Sequence, residues 1–367
     1  MYIIAKKYLL LESLQTSVVS QKSLIPILVN VLLEASDNVL IITSTDLDIS
    51  VKCKIEVDVI EEGSITLPLK KLLDIVREMP EDDISIKVKD NFYTSVTSGK
   101  SFFNIAGLSS NDYPVIPDIN RDCCFSILSS VLKRMIKKVA FAAAINDNRR
   151  VLNGGYLTAK GSEITITATD GYVLASAKYK LSENVNQEIC SVLPNKTLNE
   201  IMRLLRDEAM VDVYLFNNQI ILKFDDIIFT SRLIDGNFPN PENFIPSTTS
   251  NNVLRIKNSV LLDTCRRVGI MASEDINVFD FSISDKNIQI LSFTPGIGEA
   301  KENIMDVDYK GEDFSVRFTS KHTINVLKNI DVEEIDMFFV SDLKAGVINI
   351  KNNNEEYFYF IVPITMR

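Results

Sequence analysis

The side chains that could carry out catalysis are few in this chain, and their spacing does not form an active-site pattern. A nucleophilic triad needs a base, usually histidine, and the only histidine among the 367 residues is His322. It falls at the start of a predicted helix without a serine or cysteine motif beside it, so we interpret it as a surface or helix-terminus residue. The five cysteines are scattered without a Cys-x-x-Cys pair, so no metal site is indicated and each is expected to be a small buried side chain.

Two pairs of aspartates have the i,i+2 spacing that places both carboxylates on one face of a strand. They are Asp46 with Asp48 and Asp306 with Asp308. Such a pair could hold magnesium, so a nuclease that uses Asp46 and Asp48 is one alternative function. Solvated strand faces carry the same spacing far more often, and we expect no metal and no cofactor. Residues 99–101 and 296–298 lack the further glycines of nucleotide-binding loops and are interpreted as a hairpin and a turn.

Residues 130–140 carry the most distinctive arrangement of charge in the chain. At about 100° per residue, their apolar side chains share one face of a helix, with Ser130 as the expected N-cap. Four bases and no acid fill the opposite face, namely Lys133, Arg134, Lys137 and Lys138. A solvated helix face normally mixes both signs of charge, so this stripe indicates a surface for nucleic acid. Arg266 and Arg267 recur at the positions of Lys137 and Lys138 in a later helix.

Composition sets limits on the class of protein. The chain is 46% hydrophobic and 24% charged, which is typical of a globular protein, and its length favours two or three domains. A net charge of −10 argues against a protein that coats nucleic acid diffusely, although basic residues could still gather on one surface. The N-terminus does not have the charge order of a signal peptide, and no apolar run is long enough to span a membrane, so we expect a cytoplasmic protein with reduced thiols.

The elements that would position these residues recur three times along the chain. Two kinds of amphipathic helix appear in each third, and 126 residues separate Pro68 from Pro194 while 125 separate Pro194 from the matching Thr319. Runs with period-two alternation follow the helices and predict antiparallel strands. Each third therefore reads as an α+β domain with two helices on antiparallel sheets. We expect the domains to span residues 1–120, 121–248 and 249–367.

The central third carries two specific motifs. Residues 149–155 (Arg-Arg-Val-Leu-Asn-Gly-Gly) and 168–175 (Ala-Thr-Asp-Gly-Tyr-Val-Leu-Ala) resemble signatures of the bacterial β sliding clamp family, the processivity subunit of DNA polymerase III. Shorter matches follow the family order in residues 25–28, 43–48, 229–239 and 360–364. The resemblance implies a non-enzymatic protein with three clamp domains per subunit. Two subunits would form a head-to-tail ring of six domains around duplex DNA.

The resemblance also implies a pocket between the second and third domains for short peptides with hydrophobic anchors. The matching positions are Leu152, Thr169, Gly171, Tyr172, Val173, Leu174, Pro239, Asn243, Phe244, Phe360, Ile361, Val362, Pro363 and Ile364. The chain departs from the family pattern at Tyr172-Val173, at Asn243 and at residues 365–367, so its peptide preference is expected to differ.

For the DNA surface, the resemblance adds further positions to the bases named above. These are Lys22, Asn148, Arg149, Arg150 and Lys196. At the subunit interface, Phe103 and Ile105 of one copy would meet Ile270 and Met271 of the other.

The partners implied are double-stranded DNA, a second copy of the chain, the polymerase III catalytic subunit and the clamp loader complex. Other polymerases and repair proteins that carry clamp-binding peptides are also implied, and no membrane is. A peptide-binding scaffold that does not encircle DNA is the other alternative.

Overall fold

A computed structural model describes all residues except 20–24, 115, 117–121, 207, 217, 245–251, 274–276, 341–344, 353 and 365–367. The α-helices in the described residues are α1 (Lys7–Thr16), α2 (Leu69–Glu78), α3 (Ser129–Val139), α4 (Asn195–Leu204), α5 (Asn258–Val268) and α6 (Ser320–Lys328). Each has 11 residues or fewer, and within the described part of the chain none has the length and apolar character needed to cross a membrane.

Twenty-six strands alternate with these helices in the described part of the chain. The first thirteen are β1 (Tyr2–Lys6), β2 (Asn30–Ser36), β3 (Val39–Thr45), β4 (Ile49–Glu56), β5 (Asp58–Glu61), β6 (Gly63–Pro68), β7 (Asp83–Val88), β8 (Tyr93–Ser98), β9 (Ser101–Ala106), β10 (Phe125–Leu128), β11 (Gly154–Lys160), β12 (Glu163–Thr169) and β13 (Val173–Lys180). The others are β14 (Ile189–Pro194), β15 (Met210–Phe216), β16 (Gln219–Phe224), β17 (Ile227–Arg232), β18 (Asn252–Lys257), β19 (Val278–Ser284), β20 (Asn287–Thr294), β21 (Gly298–Met305), β22 (Asp308–Lys310), β23 (Phe314–Thr319), β24 (Glu334–Val340), β25 (Ala345–Lys351) and β26 (Glu355–Ile361).

The chain folds into two compact units, each with two sheets. Unit 1 comprises Met1–Ser129 and Arg206–Leu233, and unit 2 comprises Ser130–Leu205 and Ile234–Arg367. Unit 1 contains a five-stranded sheet in the order β5-β1-β7-β8-β9 and an eight-stranded sheet in the order β10-β15-β16-β17-β4-β3-β2-β6. Unit 2 contains a nine-stranded sheet in the order β14-β11-β12-β13-β26-β25-β24-β18-β22 and a four-stranded sheet in the order β21-β20-β19-β23.

In the larger sheet of each unit, one pair of neighbouring strands comes from distant parts of the sequence. In unit 1, β4 pairs with β17 in antiparallel register, so Ser50 lies opposite Thr230. In unit 2, β13 pairs with β26 in the same way, so Leu174 lies opposite Phe360. The predicted α+β architecture is confirmed, because helices and antiparallel sheets recur in each third of the chain. The domain boundaries expected from the sequence remain a prediction.

The cores form where the apolar face of each helix meets a sheet. In unit 1, helix α1 packs against α2, and Leu10 and Leu72 of these helices are fully buried. In unit 2, helix α5 packs against α6, and Leu261 and Val326 occupy the equivalent interior. Full burial of one such side chain contributes about 1.5–3 kcal/mol. Because apolar positions recur with a period of about 3.6 residues, they share one face of each short helix, and that face packs against the sheet.

Several local expectations from the sequence are wrong. Helix α3 begins at Ser129 rather than after Ser130, because the Ser129 backbone N–H donates to the Ala209 carbonyl at 2.8 Å and its hydroxyl accepts from the Ala209 N–H at 3.1 Å. Cys190 is exposed and Cys123 is half-buried, whereas the remaining three cysteines are buried as expected. Sequence pattern alone does not show which small side chains face a sheet surface.

The acidic pairs do not lie side by side on strands as expected. Asp46 and Asp48 lie in the turn between β3 and β4, where Asp46 Oδ1 accepts the Asp48 backbone N–H at 3.1 Å. Asp306 adopts a positive φ of 57° in a turn, and Asp308 begins β22. The turn chemistry of aspartate explains the position of Asp46, because its short carboxylate can bond backbone N–H groups nearby.

Candidate functional site

An open cavity of about 200 Å³ lies in unit 2 beside the junction of β13 and β26. Its lining residues are Arg149, Leu152, Thr169, Gly171, Val173, Leu174, Pro239, Phe360 and Val362. The walls are mostly apolar, and the polar groups come from the turn that precedes β13 and from Arg149. A cavity of this kind suits the hydrophobic side chains of a peptide.

The turn between β12 and β13 is fixed by two side chains that bond its own backbone. Thr169 Oγ1 donates to the Val173 carbonyl at 2.7 Å and accepts the Gly171 N–H at 3.0 Å. Asp170 Oδ1 accepts the N–H groups of Tyr172 at 2.8 Å and Val173 at 3.0 Å. Gly171 has a φ of 95°, a conformation in which a side chain would be strained. The Thr-Asp-Gly sequence therefore builds one wall of the cavity.

Paired strands supply the apolar floor. Leu174 and Phe360 lie opposite each other and belong to a buried cluster that also contains Val347 and Phe358. Val362 is half-buried and packs against this cluster, just beyond the end of β26. Because side chains alternate along a strand, residues 174, 360 and 362 reach the same face. The terminal segment of the chain thus forms part of the cavity.

A second buried cluster supports the cavity wall formed by Leu152 and Pro239. It contains Leu152 and Phe238, and Tyr156 stacks on Phe238 with ring centroids 4.8 Å apart and an interplanar angle of 8°. Pro239 follows Phe238 directly and lines the cavity. Leu152 is held at its position by a short 3₁₀ turn over Arg150–Leu152.

Arg149 lines this cavity, whereas the sequence placed it only on the DNA surface. Its Nη2 donates to Asp147 Oδ2 at 2.8 Å and lies 3.4 Å from the Asp170 carbonyl oxygen. The hydrogen bonds from Arg149 hold the pKa of the Asp147 carboxyl at about 2. The guanidinium is therefore paired with an ionised carboxylate at neutral pH, and it borders the same turn that Asp170 organises.

Eight of the fourteen pocket residues expected from the sequence line the cavity. Tyr172 is 60% exposed at the rim, Ile361 is buried within the sheet, and Asn243 is exposed. Pro363 and Ile364 are half-buried, and the Ile364 backbone N–H donates to the Arg317 carbonyl at 2.8 Å. The side chain of the expected Phe244 lies outside the described residues.

His322 belongs to this region, although the sequence indicated no role for it. Its Nε2 lies 2.8 Å from Asp170 Oδ2, and its ring stacks on Tyr172 with centroids 6.3 Å apart. Burial raises the pKa of the Asp170 carboxyl, but the bonds from His322 and from two backbone N–H groups outweigh burial and lower it overall. His322 lies in the first turn of α6, as expected for a helix-terminus residue, but it is not a surface residue, because only 13% of the side chain is exposed.

The basic stripe on α3 differs from the sequence expectation in its charge environment. Lys138 is buried, and its ammonium donates to Asp331 and to the Asn329 carbonyl. Arg134 Nε lies 3.1 Å from Glu355 Oε1, and that pairing raises the arginine pKa. Two of the four bases therefore neutralise acids of unit 2 instead of forming a bare cationic surface.

The other two bases of α3 differ from each other. Lys133 Nζ donates to the Leu205 carbonyl at 2.9 Å. Lys137 is exposed and makes no ion pair with any residue that the structure describes. Lys137 is thus the member of the stripe that offers its full charge to solvent.

The other candidates for the DNA surface differ in their ion pairing and in their exposure to solvent. Arg266 pairs with Asp263 within α5, and Arg267 Nε lies 3.0 Å from Glu302 Oε2. Asn148, Arg150 and Lys196 are exposed. Lys22 lies outside the described residues.

The expected interface residues lie near open sheet edges. Strand β9 is the last strand of the five-stranded sheet, and Phe103 on it is 41% exposed while Ile105 is half-buried. Ile270 is 75% exposed and Met271 is half-buried, in a 3₁₀ turn that packs against β21. Strand β21 is in turn the outer strand of the four-stranded sheet. Exposed apolar side chains thus occur beside an open edge in each unit.

Three family models match consecutive parts of the chain. They describe the N-terminal, central and C-terminal domains of the DNA polymerase III beta subunit, and they match residues 1–117, 126–240 and 243–365 respectively. The beta sliding clamp of Staphylococcus aureus (strain Mu50) is 30% identical over 356 residues, which cover 94% of each chain.

Solved structures agree with this match over the full length. The DNA polymerase sliding clamp of Bacillus subtilis is 29% identical with a TM-score of 0.95, and 100% of each chain is covered. A sliding clamp of Pseudomonas aeruginosa bound to griselimycin is 28% identical with a TM-score of 0.93, again over 100% of each chain. The chain therefore belongs to the DNA polymerase III beta subunit family, the family of bacterial sliding clamps.

Proposed function

We propose that the protein is a non-catalytic processivity factor that encircles duplex DNA as a ring-shaped homodimer and tethers a replicative polymerase to it. The observation that carries the proposal is the match of the whole chain to the sliding-clamp family, and the apolar cavity at the β13–β26 junction supports the binding of a partner. A cavity lined in this way binds and orients a partner, and no catalytic constellation accompanies it among the described residues. We assign its three domains to residues 1–120, 121–248 and 249–367, and its place of action to the cytoplasm.

The DNA surface in this proposal is weakly attractive. Sliding requires contacts that are electrostatic and independent of sequence, because base-specific contacts would hold the ring at one position. Lys137 and Arg150 supply exposed charge, while Arg267 is partly neutralised by Glu302. Enclosure of the duplex, and not affinity for it, would then keep the protein on DNA.

The ring closes in this proposal through the two open sheet edges. Strand β9 of one copy would lie beside β21 of the other, joining a five-stranded to a four-stranded sheet. The result would have nine strands, as the larger sheet of unit 2 has. Phe103 and Ile270 would be buried by this contact, which is heterologous and closes after two copies.

The cavity in unit 2 would accept short peptides from the polymerase III catalytic subunit, the clamp loader complex and repair polymerases. The floor formed by Leu174, Phe360 and Val362 suits apolar anchors of such a peptide. Tyr172 at the rim and exposed Asn243 would influence the neighbouring peptide positions.

Retention on DNA of different topology tests the proposal. The protein is loaded by its clamp loader with ATP onto nicked circular DNA, and half of the sample is then linearised with a restriction enzyme. We expect the protein to stay on the circle and to be lost from the linear form on gel filtration. Equal loss from both forms would favour the alternative, a peptide-binding scaffold that does not encircle DNA.

A further inference from the structure

A second cavity, of about 130 Å³, lies in unit 1 beside the junction of β4 and β17. It occupies the position in the eight-stranded sheet that the apolar cavity occupies in the nine-stranded sheet. The two sheets are joined by equivalent antiparallel pairs, β4 with β17 and β13 with β26. The internal repeat of the chain has therefore produced the same kind of cavity twice.

The turns beside the two cavities have the same hydrogen bonds. Thr45 Oγ1 donates to the Ile49 carbonyl at 2.9 Å and accepts the Leu47 N–H at 3.0 Å. Asp46 Oδ1 accepts the N–H groups of Asp48 at 3.1 Å and Ile49 at 2.8 Å. Leu47 also has a positive φ, of 78°, where Gly171 has 95° in the other turn. The turn beside the second cavity is thus fixed by the same set of hydrogen bonds as the turn beside the first.

The side chains at equivalent register positions are polar in unit 1 and apolar in unit 2. Ser50 lies opposite Thr230, as Leu174 lies opposite Phe360 in unit 2. One position later on the second strand of each pair, the sequence has Ser231 and Ile361, and beyond these come Arg232 and Val362. Ser50, Thr230 and Arg232 all line the second cavity. The floor of this cavity therefore presents hydrogen-bonding groups where the first presents hydrocarbon.

Two of these side chains present their hydroxyls to the open cavity. Ser50 and Thr230 are each 7% exposed, and neither hydroxyl has a hydrogen-bond partner among the described residues. Neither hydroxyl belongs to the fully enclosed polar atoms of the described residues, so both are accessible to a ligand from the cavity. Because both side chains line the same cavity, a bound polar group would satisfy both hydroxyls together.

The charges at the cavity select the type of group. Asp48 and Arg232 both line it, and neither forms an ion pair with a described residue. Because these two charges are opposite, together they favour neither a carboxylate nor an ammonium over a neutral polar group. A neutral amide can accept from Arg232 and from the hydroxyls while it donates to Asp48. Gln219, which also lines the cavity, adds an amide of its own.

We propose that the cavity of unit 1 is a second binding site, specific for the side-chain amide of a glutamine or asparagine in a peptide. Its volume of about 130 Å³ is below the range of roughly 300–1,000 Å³ typical of small-molecule pockets, and suits one side chain. The two cavities then differ in specificity, apolar in unit 2 and amide-binding in unit 1.

Methyl NMR of the full chain, in the form in which it purifies, tests this proposal. The probes are N-acetyl-glutamine methylamide and its glutamate and leucine counterparts. Ile49 and Thr230 report on the cavity of unit 1, and Val173 and Leu174 report on the cavity of unit 2. We expect the glutamine probe to give saturable shifts at Ile49 and Thr230, with much weaker responses to the other two probes.

Two variants separate binding from general perturbation. Thr230→Val keeps the shape and removes one hydroxyl, and we expect it to weaken binding of the glutamine probe about fivefold, as read at Ile49. Thr97→Val makes the same change outside the cavity and should leave that affinity unchanged. Absence of saturable shifts, an equal response to the leucine probe, or unchanged affinity in Thr230→Val would each overturn the proposal, since the cavity would then hold only water.

Discussion

His322 Nε2 lies 2.8 Å from Asp170 Oδ2 and connects helix α6 to the turn that forms one wall of the apolar cavity. The other oxygen of the same carboxylate holds the backbone N–H groups of Tyr172 and Val173. One side chain thus fixes the turn internally and anchors it to a separate element. A carboxylate that accepts several bonds at once restricts the turn more than any one of those bonds would.

Removal of the imidazole is therefore expected to weaken peptide binding. In His322→Ala, Asp170 loses a partner that is largely buried, and Tyr172 loses the ring on which it stacks. We expect the affinity for a polymerase-derived peptide to fall about five- to tenfold, which corresponds to the net contribution of one typical hydrogen bond. Isothermal titration calorimetry measures this change. Lys321→Ala, an exposed neighbour in α6, is the control, and an equal loss there would contradict a specific role for the imidazole.

Because the Asp170 carboxylate holds this turn, we expect the stability of the turn to depend on pH in the acid range. Its pKa in the folded protein is lowered, so its stabilising effect is complete above the unfolded value near 3.9 and is lost as pH falls through the folded value. We expect the hydrogen-exchange protection of the Tyr172 and Val173 amides to decrease as the pH falls below about 4. Asp170→Asn should show weaker protection at neutral pH and a flatter response to acid. An unchanged acid response in that variant would show that other groups control the turn.

Much of the fold could be predicted from local patterns. Residues 163–168 alternate with a period of two, which is the pattern of a strand, and β12 spans Glu163–Thr169. Helical spacing predicted which faces are apolar, and Met135 and Ile136 are fully buried. These patterns succeed because a period of 2 or 3.6 residues decides directly which side chains face a sheet or a helix partner.

The charge environment of the sites could not be predicted in this way. Lys138 shares the basic face of α3 in a helical projection, but Asp331 lies on a distant part of the chain and removes its charge from solvent. His322 and Asp170 are likewise far apart in sequence. Periodicity within one element does not show which residue of another element will meet it, so ion pairs between elements became visible only in the structure.

Shortening one side chain in the apolar floor should reduce peptide affinity without unfolding the protein. Val362→Ala removes two methyl groups from a half-buried position at the cavity. At about 0.8 kcal/mol for each buried methylene-sized group, we expect affinity to fall roughly tenfold. Fluorescence polarisation with a labelled peptide measures this. Val340→Ala, which shortens a half-buried valine of the same cluster outside the cavity lining, is the matched control. Equal losses in both variants would indicate a general packing effect.

A charge at the open edge of unit 2 should prevent dimerisation. Ile270 is 75% exposed in the monomer, and its burial in the proposed contact would be opposed by the desolvation of a carboxylate in Ile270→Asp. We expect sedimentation velocity to show monomers for this variant and dimers for the unmodified chain. Ile145→Asp changes an equally exposed isoleucine away from both sheet edges and should remain dimeric. A dimer that persists in Ile270→Asp would exclude this residue from the interface.

Two neighbouring lysines of α3 should respond in opposite ways to loss of charge. Lys137 is exposed and without an ion pair among the described residues, so Lys137→Ala should lower the salt dependence of DNA binding by about one phosphate contact and leave stability unchanged. Lys138 is buried against Asp331, so Lys138→Ala should lower the free energy of unfolding by about 1–3 kcal/mol and leave the salt dependence unchanged. Binding to duplex DNA at several salt concentrations and urea unfolding measure the two effects. Identical behaviour of the variants would contradict the division of this stripe into a solvent-facing base and a structural one.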